Sequence, residues 1–189
     1  LPNTTGQSHQ IYNQENKVPL SGGLFIIVFF FLNYEYFELT LILYFTIFFL
    51  FGLITDLNLI KSPYFRFLTQ ILLLVFFIIH FEIVVYDIRI ELINNFLENY
   101  YFNIFFVLFC FLVLINGSNF IDGNNGISLG YFLIIFILIV NLINKGYISY
   151  DEIFFNSFII ILFILLFFNL LNQIYLGDSG VYLLSLFTG

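Results

Sequence analysis

Charge is missing from this sequence in long, regularly spaced runs. No Asp, Glu, Lys or Arg occurs in 18–34, 39–55, 67–81, 99–121, 123–144 or 153–177, and another run begins at 179. A helix needs about 17–25 apolar residues to cross a bilayer. Five of the runs reach that length, and 67–81 is slightly short. Lipid offers backbone N–H and C=O groups no partners, so such runs must close their hydrogen bonds within helices. We therefore expect an all-α, polytopic transmembrane bundle of six to seven spans, forming one membrane domain over 1–189. Nucleotide bias could explain the abundance of Phe, Ile, Asn and Tyr, but not the spacing of the runs. Only 9% of residues are charged, against about 25% in ordinary soluble domains.

Read in order, residues 1–19 are polar, and Pro19 followed by Gly22-Gly23 marks a loop entering a helix. A first span is expected after that loop, ending near Asn33, and others at about 39–54, 67–81, 100–115, 127–143 and 153–168, with a seventh starting after Gly180. Between the third and fourth, 82–98 alternates charged and apolar residues, and Ile83 to Ile90 is rich in β-branched side chains. A short surface strand or amphipathic segment is expected there. The chain carries no initiator Met and no cleavable signal sequence, and it stops inside an apolar run. We expect a piece of a longer protein, lacking both ends.

Alternation of crossings sorts the polar corners. Loops 1–19, 55–66, 116–126 and 169–180 fall on one side; loops 33–38, 82–99 and 144–152 fall on the other. Asp56, Asp122 and Asp178 should then share a face. Lys17, Lys61 and Arg66 lie on that face, against Arg89 and Lys145 opposite. This slight excess favours the cytoplasm for the Asp-bearing face.

The stretch from Asn116 to Gly126 concentrates polar residues between two charge-free runs, and polar groups at membrane depth are costly unless they meet water, a metal or a polar ligand. Carboxylate and carboxamide oxygens suit a hard cation such as Mg²⁺. Helix starts after Asp122 and Asp178 can hold phosphate oxygens. These are the parts of a phosphoryl-transfer centre. The plain alternative is that each Asp is an ordinary helix N-cap; three acidic loops on one face, each with a Gly within four residues of its Asp, weigh against capping alone. Net charge −7 argues against nucleic acid. The single Cys110 excludes a disulfide framework. His80 and Cys110 read as structural, and Asn3-Thr-Thr5 and Asn116-Gly-Ser118 match the glycosylation pattern only on the expected cytoplasmic side.

The wording of these loops resembles the polyprenyl-phosphate N-acetylhexosamine-1-phosphate transferase family, glycosyltransferase family 4. Pro19-Leu-Ser-Gly22-Gly23, together with His9, is similar to the family's first cytoplasmic loop. Gly52-Leu-Ile-Thr55-Asp56 resembles its double-aspartate motif. Asn119-Phe-Ile-Asp122-Gly-Asn-Asn125-Gly126 resembles Asn-x-x-Asp-Gly-x-Asp-Gly, and Leu176-Gly177-Asp178-Ser179-Gly180 resembles Gly-Asp-x-Gly. The resemblance implies Mg²⁺-dependent (or Mn²⁺-dependent) transfer of a sugar-1-phosphate from a UDP-N-acetylhexosamine to polyprenyl (undecaprenyl) phosphate, releasing UMP. The setting implied is the cytoplasmic face of a bacterial inner membrane, in envelope polysaccharide or glycan-lipid synthesis, with a homodimer as one assembly. It implies Asp178 and Asn119 as metal ligands and Asp56, Asp122 and Asp178 as catalytic. Asp56 would orient or deprotonate the lipid phosphate, while Asn119, Gly123, Asn125 and His9 bind substrate.

Four positions depart from the pattern. Thr55 stands where the first Asp of the pair is usual, and Asn125 where many bacterial members have Asp. Gly6 and Gln7 replace the basic residues usual before His9. The family's later His-rich loop lies beyond 189, so this segment alone is expected to be inactive. Thr55 keeps open a relative that has lost catalysis. An ion-binding transporter is a third reading, but it would need ionisable groups within the spans, and every charge here falls at an end or in a loop.

Overall fold

The computed structural model describes residues 18–122 and 126–189. Eight α-helices occur among them: α1 Gly22–Leu32, α2 Leu39–Asp56, α3 Pro63–His80, α4 Glu91–Leu97, α5 Tyr100–Ile121, α6 Ile127–Asn144, α7 Glu152–Leu170 and α8 Gly177–Thr188. Five of these, α2, α3, α5, α6 and α7, are long and apolar enough to cross a membrane. At about 1.5 Å rise per residue, 18 residues cover about 27 Å, close to a bilayer's hydrocarbon thickness. The chain is an integral membrane protein built as an all-α bundle.

Several helices start where the sequence supplies an acceptor for free N–H groups. Ser62 accepts from Phe65 N at 3.4 Å, with Pro63 in the first turn. Asn99 accepts from Tyr101 N and Phe102 N at 3.0 and 3.2 Å. Asp151 accepts from Phe154 N at 3.0 Å. Beyond α2 and α7 the chain turns at Asn58 (φ 55°) and Asn172 (φ 56°), left-handed positions that Asn tolerates better than most residues.

Three expected boundaries change. First, the run at 18–34 does not form one span. Pro19 to Gly23 lies against the segment before α8: Leu20 and Tyr175 form a parallel bridge, and Gly22 N donates to Tyr175 O at 3.0 Å. Only 11 residues remain for α1. Second, Asn116 to Ile121 continue α5 instead of opening a loop. The Asn116 side chain donates to Leu112 O at 2.8 Å and to Gln70 Oε1 at 3.2 Å, so its polar group is satisfied without ending the helix. Third, 82–98 holds no strand. Residues 83–90 run without regular structure into α4. The β-branched run has no strand beside it; instead Asn103 on α5 accepts from Val85 N at 3.0 Å and donates to Val85 O at 2.7 Å. The amphipathic alternative stands, in the form of this segment and α4.

The centre of the bundle is α8. Gly177 and every residue from Ser179 to Leu186 are buried, against α1, α2 and α5. Helices in lipid gain little from hiding apolar surface, so close backbone approach matters more. A Cβ on Gly52 would strike the Ser179 backbone, and one on Gly23 would lie 2.5 Å from Gly180 N. Deeper in, Phe187 packs among Phe30, Phe45, Phe136 and Phe158, and Phe30 stacks on Phe45 at 4.7 Å. Outward faces carry exposed Leu24, Phe25, Phe105, Phe109 and Phe163, as a lipid-facing surface should.

Candidate active site

Three elements, α2, α3 and α5, converge on the first turn of α8. The last turn of α2 brings Asp56, because Gly52 lets α2 touch α8. Asp56 Oδ1 accepts from Asp178 N at 2.8 Å, and Oδ2 accepts from Ser179 N at 3.1 Å. Asp122, directly after α5, accepts from Gly177 N at 3.2 Å through Oδ2. Helix starts leave N–H groups without intrahelical partners. Here three consecutive ones are taken by carboxylates from two other elements.

Asp178 itself faces α3 and α5. Asn119 Nδ2 donates to its Oδ1 at 2.5 Å, and Arg66 Nη1 lies 3.5 Å from its Oδ2. It keeps 17% of its side-chain surface exposed. Asp56, Asp122, Asp178 and Asn119, all singled out from sequence, are therefore gathered in one place. Burial pushes the Asp122 carboxyl up to about 7; Asp178 and Asp56 add to this, while the Gly177 N–H opposes it. His9, Gly123 and Asn125 lie outside the described residues.

Sequence reasoning missed several contributors. One is Arg66, whose sequence neighbours name no carboxylate partner. Gln70 is 2% exposed on α3 and receives the Asn116 amide. Asn169, 3% exposed, accepts from Gly126 N at 2.6 Å and donates to Ile174 O at 2.9 Å. It ties the Asp122 loop to the α8 loop. The available signal was a carboxamide inside an otherwise apolar run, since such groups must find partners when buried. Thr55 is buried, and its hydroxyl donates to Gly52 O at 2.7 Å on its own helix. It makes no bond to the acidic group.

Mg²⁺ binds through one or two carboxylates and completes its shell with water and substrate phosphates. Among the described residues no group of three or more His, Cys, Asp or Glu could hold a metal. The donor set is instead one carboxylate, Asp178, beside one carboxamide, Asn119. That set fits a cation shared with a pyrophosphate, and does not fit a closed all-protein cage.

The model of the family described as Glycosyl transferase family 4 matches residues 38–189. No curated protein matches the chain, and no solved structure does. The matched span takes in α2 to α8 and all three acids at the first turn of α8, and on it the chain belongs to glycosyl transferase family 4, the polyprenyl-phosphate sugar-phosphate transferases.

Proposed function

We propose that the whole protein transfers an N-acetylhexosamine 1-phosphate from a UDP-sugar to polyprenyl phosphate and releases UMP, with Mg²⁺, at the cytoplasmic face of the membrane. The observation that carries this is Asp178. It sits at a helix start, is oriented by Asn119, is partly open to solvent, and has Arg66 beside it. Asp178 and Asn119 would hold the cation, whose charge would offset that of the pyrophosphate. Arg66 supplies a fixed positive charge toward the same phosphates.

An oxygen of the lipid phosphate attacks the sugar-bearing phosphorus. The bond from that phosphorus to the bridging oxygen breaks, and UMP leaves with that oxygen and its charge. Catalysis of this kind is mainly positioning and charge stabilisation. The first three N–H groups of α8 are taken by Asp56 and Asp122, so at that end α8 would favour phosphate through its dipole alone. An apolar groove of about 280 Å³ between α1 and α7, lined by Phe25, Phe29, Leu165, Phe168 and Ile174, offers a path for the prenyl tail. It reaches the segment just before α8. Thr55, bonded to its own helix, favours a second reading, a relative that has lost catalysis.

The test is UMP release by the full-length protein from UDP-N-acetylglucosamine and undecaprenyl phosphate, with and without Mg²⁺. Asp178→Ala should lower turnover by about 10²–10³-fold, the scale seen when one transition-state electrostatic partner is removed. Undiminished turnover removes Asp178 from the mechanism. No turnover in the unaltered protein favours the second reading.

A further inference from the structure

We propose that Asp56 and Asp122 are positioning residues, which act on the reaction through the first turn of α8 and not as proton acceptors. This deepens the transferase reading and rests on it. The residue before α8 is Leu176, which has no polar side-chain atom, and the helix draws no cap from its own sequence. Its caps come from far away in the chain. Asp56 lies 122 and 123 residues before the two N–H groups it accepts, and Asp122 lies 55 residues before Gly177.

The fit is close. Gly177 has φ +74°, and a Cβ there would lie 2.9 and 3.1 Å from the two Asp56 carboxylate oxygens. The helix start is shaped around that carboxylate. Asp178 is the second residue of the same turn, so its direction toward Asn119 and Arg66 depends on how Asp56 and Asp122 hold the turn.

The chemistry needs no base. A phosphate monoester has a second pKa of about 6, so most of it already carries the attacking charge at neutral pH. The oxygen that attacks has no proton to give up, and none has to be found a destination when UMP departs.

Asp56→Asn separates the two roles. The amide keeps one acceptor oxygen but cannot take up a proton at neutral pH. Two measurements on the full-length protein in lipid discs decide: the pH dependence of kcat/KM, and backbone hydrogen exchange of peptides covering 177–182. We expect Asp56→Asn to keep the acid limb of the profile, to lower kcat with little change in KM for the lipid phosphate, and to speed exchange by about tenfold, the scale of a lost cap. Asp122→Asn should do the same at Gly177. Loss of the acid limb or of all turnover in Asp56→Asn overturns the proposal, as does unchanged exchange at 177–182. If the unaltered protein transfers no sugar phosphate, the transferase reading fails while the exchange measurement still decides whether Asp56 holds α8.

Discussion

The two ends of the bundle use acids in opposite ways. At the end where α8 starts, three carboxylates are half-buried or buried, and the two that accept backbone N–H groups, Asp56 and Asp122, reach 55 to 123 residues along the chain to find them. The other end has more acids, yet their bonds are local. Asp87 accepts from Arg89 N at 2.6 Å and from the Asn94 side chain at 2.5 Å; Asp151 caps its own helix. Around Glu38 and Asp151 the loops line a mostly aromatic cavity of about 510 Å³, with Tyr36, Phe37, Phe81 and Tyr150. An acid that bonds its near neighbours fixes one loop. An acid that bonds a distant helix fixes the relation between elements, which a reaction centre requires.

Substitutions at matched positions would break or sharpen that contrast. The largest structural effect should come from Gly52→Ala, which drives a methyl into the α8 backbone; we expect a loss of about 2–4 kcal/mol, in the range of overpacking and backbone displacement. A thermal melt in detergent would show it, and an unchanged midpoint would mean α2 and α8 are not in contact. Next is Arg66→Ala. It leaves Asp178 without its cation, and UMP release should fall about tenfold, or about 1.4 kcal/mol. An equal fall with Lys145→Ala at the other end would erase the contrast.

Asp151→Ala should cost about 1 kcal/mol through a lost cap and leave turnover intact. Gly117→Ala has open space around its added methyl, so it should stabilise α5 by about 0.5–1 kcal/mol; a loss would show an unrecognised neighbour. The smallest effect concerns Asp87. The Arg89 N–H and the Asn94 amide hold its carboxyl below the usual carboxylate range. A depressed folded value means the stabilisation is present above the unfolded value of 3.8 and fades as pH falls toward the folded one. Hydrogen exchange at 83–90 should therefore quicken only below about pH 4. Residues 177–182 compared across the same range would give the contrast directly.

The crossings were legible because spacing of charge reports directly on lipid. Their ends were less so. Asn116 looked like loop because carboxamides usually compete with helix, but it bonds back to Leu112 and across to Gln70. The gathering of Asp56, Asp122 and Asp178 followed from counting crossings. Their engagement of α8 did not, because no local pattern links Asp56 to Ser179. Arg66 showed only a charge, since nothing in its neighbours names Asp178 as partner. The strand expected from Ile83 to Ile90 failed for a related reason: β-branched residues favour extended backbone, but pairing depends on what lies alongside.

The bridge between Leu20 and Tyr175 bears on the order of assembly. Ribosomes add about 5–20 residues per second, so Pro19 to Gly23 waits about ten seconds or more for Tyr175 and Leu176 to be made. Until then the amides of Gly22 and Gly23 lack their acceptors, and the groove between α1 and α7 lacks the Ile174 end of its lining. Docking of the earliest described segment is thus a late event, completed when the turn that carries Asp178 arrives.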